Sequence, residues 1–231
     1  MGADLRAAIS LNQEVAAQGD SGHARCSHIK TGILSKDVVN NKRVLDVGCG
    51  RRKVPGAVGL DRIEGEGVDV VHDLNRYPYP LETSSFDEIH ARHVIEHVEN
   101  VLAFLAELHR IAKPGAHVFV TTPHYTYTGS WRDPTHRWHL SAQSFEYFEM
   151  GHPSTYYTGS ARFRIVSNRI TMLRLWRLLG IEWLINAVNI HRRWRFLRRF
   201  WEEYLAFQFR AREIRVTYEA VKDSPRFQVP N

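Results

Sequence analysis

The sequence predicts an α/β fold: a doubly wound, mostly parallel sheet with an antiparallel final strand and a helical insertion between the last two strands. Three observations carry this. From residue 43 onward, short apolar segments alternate with helical or turn-forming stretches. Successive segments contain or end in an acid, at Asp46, Asp61 and Asp73. The last two candidate strands, "ARFRIVSNRITM" and "AREIRVTYEAVK", alternate apolar and polar residues as half-buried strands do.

The elements follow in order. "RVLDVG" reads as a buried strand, "GAVGLD" as a second and "GVDVVHD" as a third. "SFDEIHARHV" supplies a fourth, with Phe86 and Ile89 turned inward. In "VENVLAFLAELHRIAKPG" the apolar residues Val101, Leu102, Leu105, Leu108 and Ile111 recur at helical spacing, and Pro114-Gly115 is expected to end the helix. "AHVFVTTP" is a fifth strand, followed by the polar and aromatic loop "HYTYTGSWRDPTHRWHL". "SAQSFEYFEM" reads as a helix capped by Ser141. Residues 1–40 form an N-terminal extension, in which "DLRAAISLNQEVAAQ" reads as a short helix. Residues 41–231 form one domain, with the insertion at about 172–208.

The net charge of +6 suggests anionic partners. Two cysteines, Cys26 and Cys49, make no disulfide framework, so a reducing cytoplasmic compartment is expected. No signal-peptide core and no run of roughly 18 apolar residues is present, so the chain is expected to be soluble or to lie on a membrane surface.

The stretch "VLDVGCG", Val44 to Gly50, carries the first functional signal. In open parallel sheets, ligands bind beyond the carboxyl ends of the strands. Gly48 and Gly50 let a ligand approach the backbone, because no Cβ intervenes. Asp61 is placed to accept both hydroxyls of a ribose, and Asp73 an exocyclic amine of adenine. Together these describe a nucleoside pocket.

"VLDVGCG" with Asp61, "HDL" at 72–74, "FDEIHARHVIEHV" and "LHRIAKPGAHVFVTTP" resembles the Rossmann-like class I methyltransferases that use S-adenosyl-L-methionine, over about residues 43–150. The resemblance implies that Gly48, Cys49 and Gly50 pack against this cofactor and that Asp46 reaches its amino group, directly or through a water. It implies that Asp61 holds the ribose, Asp73 and Leu74 frame the adenine, and His93 sits by the methionine moiety. Glu96 and His97 match the family's "EH" pair, with a structural role open. The sequence departs from the pattern in its first crossover. Asp46 and Asp61 are only 15 residues apart, "RRKVPGAVG" is poor helix material, and the usual third glycine is missing. That weakens a dehydrogenase reading, which needs a helix N-terminus for pyrophosphate.

The loop after the fifth strand offers the chemistry. Its histidines His124, His136 and His139, with Asp133, fall within 16 residues. "DPTHRWHLSAQSFEYF" is similar to an acid-x-x-His stretch in small-molecule O-methyltransferases, including those acting on glycans and quinones. His136 is expected as general base oriented by Asp133, with His139 and His124 in reserve. Trp131 and Trp138 suit stacking on a sugar or aromatic ring, or packing of a lid. Asp133, His136 and His124 also suit a divalent metal, whereas "HARCSH" lacks a second ligand pair.

From Ile170 to Phe200, seven arginines face one glutamate, a surplus equal to the +6 of the whole chain. The basicity is therefore local, which argues against nucleic acid, as does the lack of an "NPPY"-type tetrapeptide after the fourth strand. Two stripes are expected: Ile181, Leu184, Ile185 and Val188, with Asn186, Asn189 and Arg193 away from it; then Trp194, Leu197, Trp201, Tyr204 and Leu205, with Arg192, Arg195, Arg199 and Glu202 opposite. Such helices either lie on an anionic membrane surface or cap the sheet or a second copy of the chain in a homodimer. The expected activity is methylation of a sugar or glycan hydroxyl, free or lipid-linked. Quinone or phenol O-methylation, RNA methylation and non-catalytic cofactor binding are the alternatives.

Overall fold

The computed structural model describes residues 42–153 and 161–222. The expected N-terminal extension, its short helix and "HARCSH" lie outside the described residues. Seven strands form one sheet in the order β3-β2-β1-β4-β5-β7-β6. They are β1 (Val44–Val47), β2 (Val58–Asp61), β3 (Val70–Val71), β4 (Phe86–Arg92), β5 (Ala112–Pro123), β6 (Phe163–Met172) and β7 (Ala211–Ala220). From β3 to β5 all pairings are parallel, while β7 runs antiparallel to both its neighbours. The carboxyl ends of β1, β2 and β4 therefore share one edge.

The long apolar segments became the centre. Leu45 and Val47 of β1, Ile89 and Ala91 of β4 and Val118 and Val120 of β5 are buried. Helix α1 (Val101–Ile111) buries Phe104, Leu105, Leu108 and Ile111. Asn100 caps it, its side chain accepting from the Ala103 N–H at 3.0 Å. The helix ends at Ile111, before Pro114, because Pro114 disfavours helical backbone at Lys113. Pro114 and Gly115 (φ 76°) instead lie inside β5, between Ala112 and His117, where its register against β4 shifts.

No helix joins β1 to β2; a turn carries the chain from Gly48 to Ala57, as the poor helix material implied. The segment after Ser141 forms a 3-10 turn, Gln143–Phe148, rather than an α-helix. Its N-cap position is Ala142, without a side-chain cap bond, rather than the expected Ser141, whose Oγ accepts from the Ser144 N–H at 3.3 Å one residue earlier in the chain.

The insertion breaks into short pieces: α3 (Arg174–Leu178), α4 (Ile181–Asn186) and α5 (Arg195–Phe200), after α2 (Thr128–Arg132) earlier in the chain. Gly180, at φ 76°, separates α3 from α4. The expected outward direction of Asn186 and Asn189 is corrected by the structure. β6 is the sheet's edge, and its outer N–H groups need acceptors. Asn168 N–H donates to Asn189 Oδ1 (2.9 Å), Ile170 N–H to Asn186 Oδ1 (2.8 Å) and Met172 N–H to Glu182 Oε2 (2.9 Å). Asn186 Nδ2 and the buried Arg198 guanidinium return bonds to the Ile170 and Asn168 carbonyls. Side chains thus stand in for an eighth strand.

Adjacent strands also align Arg92, Thr121, Arg215 and Arg169 in one row across β4, β5, β7 and β6. Arg215 and Arg169 are direct cross-strand partners, an unfavourable like-charge pairing.

Candidate functional site

Two cavities open at the strand tips. One, of about 600 Å³, is lined by Asp61, Asp73, Leu74, His93, His97 and Thr135, among others. The other, of about 610 Å³, is lined by Gly48, Cys49, Gly50, Arg92, His93 and Arg215, among others. His93 belongs to both, so the two form adjoining halves of one crevice. Each is in the size range of small-molecule and cofactor sites.

The glycine turn has a steric cause. A Cβ on Gly48, which sits at φ 65°, would come within 2.2 Å of Val94 Cγ2. Gly50 (φ 51°) faces open space, with nothing within 4 Å of a Cβ built there. A side chain at position 50 would project into that space. Asp61 is already held: Oδ2 accepts from the Gly50 N–H at 2.9 Å and Oδ1 from the Ile63 N–H at 3.1 Å. Its remaining lone pairs are free for ligand hydroxyls. Asp73 accepts from the Asn75 N–H at 3.0 Å and has Arg76 beside it at 3.5 Å. Cys49 packs at the turn, and burial pushes its thiol above the ordinary pKa.

Asp46 is placed differently from the expectation that it reaches the ligand. It is fully buried and lines neither cavity. Its Oδ2 accepts from the Val54 N–H (2.8 Å) and from Arg92 (2.7 Å). A carboxylate in the middle of β1 anchors the arginine at the end of β4, and Arg92 faces the crevice. Arg92 stands within "FDEIHARHVIEHV", where nothing in the spacing marks it.

His93 terminates β4 with left-handed backbone, φ 55°, unusual for a residue with a side chain. Its Nδ1 lies 3.2 Å from Glu96 Oε1 and its Nε2 3.8 Å from Glu213 Oε1. The Glu96 hydrogen bond holds its pKa above the usual value. Glu213 and Arg215 arrive from β7, over a hundred residues away, and only strand register brings them here.

The loop after β5 is fastened onto the "EH" turn. The Arg137 and Trp138 N–H groups donate to the Glu96 carbonyl at 2.7 and 3.3 Å, and the Trp138 indole to the Val98 carbonyl at 2.8 Å. This brings His136 edge-on to His97, with ring centroids 4.7 Å apart. His136 Nδ1 donates to the Ser130 carbonyl at 2.8 Å, which leaves Nε2 with the lone pair. The Ser130 carbonyl, rather than Asp133, therefore orients the ring. Asp133 Oδ2 stands 3.8 Å from Nε2, while its Oδ1 takes the Thr135 N–H and hydroxyl; those two bonds hold its pKa low. His139 Nδ1 meets the Ser130 hydroxyl at 2.9 Å, and Trp131 stacks on it at 3.5 Å. Buried Ser130 thus holds both rings.

His124 belongs elsewhere. It is fully buried, its Nδ1 accepts from the Thr126 N–H, and its Nε2 lies 3.5 Å from Glu202 Oε1. Burial holds His124 below its ordinary pKa. Burial alone would raise Glu202, but His124, Gln143 and the Ala142 N–H keep it below the usual carboxylate value. The structure therefore does not bring the expected metal set of Asp133, His136 and His124 together.

A family model described as a methyltransferase domain matches residues 22–161. The ubiquinone biosynthesis O-methyltransferase of Hahella chejuensis is 33% identical over 111 aligned residues, covering 39% of this chain and 47% of that one. This chain thus spans about half the length of that curated relative. A solved S-adenosylmethionine-dependent methyltransferase from Archaeoglobus fulgidus superposes with a TM-score of 0.52 at 20% identity, covering 77% of this chain and 86% of that chain. That likeness concerns the fold.

Proposed function

This chain belongs to the class I methyltransferases that use S-adenosylmethionine, and from that premise we propose that it methylates a hydroxyl of a sugar or glycan, carried on a lipid. The observation that carries the hydroxyl chemistry is the convergence at His93 of two cavities, with His97 and Thr135 on the wall of one. The residues fit the cofactor. Asp61 and Asp73 offer carboxylates toward ribose and adenine, Leu74 an apolar edge, and the bare Gly48–Gly50 turn room for the methionine chain carried by the ribose. Bound there, S-adenosylmethionine supplies a methyl on a cationic sulfur, a leaving group that needs no acid. The protein then has to orient the acceptor in line and take its proton. With Nδ1 tied to the Ser130 carbonyl, His136 would take that proton at Nε2, which has Asp133 Oδ2 at 3.8 Å, and His139 is the second candidate; His97 and Thr135, not these two rings, line the cavity wall.

The walls around His93 carry Arg51, Arg52, Arg92, Arg215 and Glu213 on one side, and on the other His97, Thr135 and Arg137 beside the apolar Val94, Val98 and Pro134. A polyhydroxylated ring matches them better than a bare apolar one. The lipid carrier is supported by the insertion, which exposes Leu178 (74%), Trp183 (69%) and Ile190 (74%) beside arginines. No helix among the described residues is long and apolar enough to cross a membrane, so the contact proposed is with an anionic membrane surface. A second reading, a lipophilic phenol of the quinone class, is favoured by the name of the curated relative.

Labelled methyl transfer from S-adenosylmethionine, screened over sugars, lipid-linked sugars, catechol-type phenols and RNA, tests the proposal. Transfer to sugar hydroxyls is expected; transfer to phenols alone would select the second reading. In calorimetry, Asp61→Ala is expected to weaken cofactor binding at least tenfold, about 1.4 kcal/mol. Unchanged affinity would remove Asp61 from the pocket.

A further inference from the structure

Glu96, His97 and His136 form a cluster beside the cofactor crevice, to whose wall His97 belongs. A carboxylate oxygen of Glu96 and one ring nitrogen of each histidine all lie within 4.8 Å of one another. We propose that these three side chains form a site for a divalent cation of the zinc–manganese–cobalt class.

Four observations converge on it. The first is ligand chemistry. Two imidazoles and a carboxylate suit borderline divalent metals, whereas magnesium and calcium prefer all-oxygen sets. The second is the orientation of the rings. His136 Nδ1 is engaged by the Ser130 carbonyl at 2.8 Å, and His97 Nδ1 by the Thr135 hydroxyl at 3.0 Å and its carbonyl at 3.3 Å. A metal-ligating histidine typically has its other nitrogen fixed in this way, which leaves Nε2 as the donor. The third is the state of the carboxylate. Glu96 is 1% exposed, Oε1 has His93 at 3.2 Å, and Oε2 has no hydrogen-bond partner. A buried carboxylate oxygen without a protein donor is unfavourable, and a cation would satisfy it. The fourth is Asp133, whose Oδ2 is 3.8 Å from His136 Nε2, within reach of a fourth position. The positions remaining open would face the cavity that His97 and Thr135 line.

The site also deepens the reading of methyl transfer to a hydroxyl, and this second step rests on that reading. A cation and a proton compete for the same Nε2 lone pair. With the cation bound, His136 would be a ligand; an acceptor hydroxyl on the metal would lose its proton to water or to His139, and its oxygen would take the methyl as the carbon–sulfur bond breaks and leaves a neutral thioether.

The test uses the full chain without acceptor or S-adenosylmethionine, so it does not depend on the methyl-transfer reading. The chain is stripped with chelator and titrated with Zn²⁺, Mn²⁺ and Co²⁺, following bound metal, thermal midpoint and the visible Co²⁺ spectrum. Stoichiometric uptake with a raised midpoint and tetrahedral or five-coordinate Co²⁺ bands is expected. Glu96→Gln, which keeps the side chain's size, and His97→Gln are expected to weaken uptake by at least tenfold. Far-UV circular dichroism and a cooperative thermal transition on the same samples report whether each variant is folded. Equal uptake by wild type and both folded variants, or no midpoint shift in the wild type, would overturn the site. In that case a proton shared by Glu96 and its histidines would be what balances the charge. If the metal binds but no hydroxyl is methylated, the site stands and the reaction assignment fails.

Discussion

The strand-tip crevice and the insertion of residues 172–208 solve opposite problems with the same kinds of side chain. In the crevice, acids and arginines are tied to one another: Asp61 to the Gly50 N–H, Asp46 to Arg92, Glu213 to Arg215. What is left open is empty space at a fixed shape. In the insertion, polar side chains are directed to the sheet's edge; Ile185 and Trp201 pack inward, while Leu178, Trp183 and Ile190 face outward. Asn186, Asn189, Glu182 and Arg198 do what a further strand would do, without presenting a new edge. The difference teaches that polarity alone does not separate a ligand site from a structural dock. What separates them is whether the hydrogen bonds are closed within the protein around a void, or closed against backbone.

The comparison can be broken or sharpened by substitution. The largest effect is expected from Gly48→Ala. The new Cβ collides with Val94 and needs a left-handed backbone, so cofactor binding should vanish and the thermal midpoint should fall by several degrees. If calorimetry still showed wild-type affinity, the turn would not be the floor of the crevice. Asn186→Ala should cost about 1–3 kcal/mol in denaturant unfolding, because the Ile170 N–H and carbonyl lose their partners. Cofactor affinity should stay at its wild-type value; a parallel loss would mean that dock and crevice are coupled.

A smaller effect comes from pH. His124 is held neutral by burial, so its folded pKa lies below the unfolded value of about 6.5. Below that pH the unfolded chain takes up a proton that the folded chain refuses. Stability is therefore full above about pH 6.5 and falls as the solution is acidified below it. His124→Gln should flatten the midpoint between about pH 6.5 and 5.5; an unchanged slope would assign the loss to other groups. Trp183→Ser with Leu178→Ser should leave stability within about 0.5 kcal/mol yet abolish flotation with anionic liposomes. Persistent flotation would detach those residues from the membrane reading. The smallest effect is a gain. Arg169→Thr removes a like charge facing Arg215 and should stabilise the sheet by about 0.2–1 kcal/mol at low salt, shrinking as salt rises.

The sheet, its antiparallel end and the glycine turn were legible because strand periodicity and turn chemistry are local properties. Asp61 and Asp73 were legible because each ends its own strand segment. The partners of Asp46 were not, since an acid in a strand looks the same whether it points to ligand or to Arg92. Glu213 and Arg215 read as ordinary polar positions of an alternating strand; only register against β5 carries them to His93. The direction of Asn186 was misjudged for a related reason. Helical periodicity sorts residues by polarity, and an asparagine reaching for an open strand edge is polar and inward at once.

The direct passage from β1 to β2, with no helix between them, has one more consequence. Because the chain returns at once, the backbone N–H of Gly50 and the carboxylate at the tip of β2 grip each other before any ligand arrives. Little ordering is left for association to pay for, so cofactor capture should be quick and close to rigid-body, with a heat-capacity change no larger than the surface it covers.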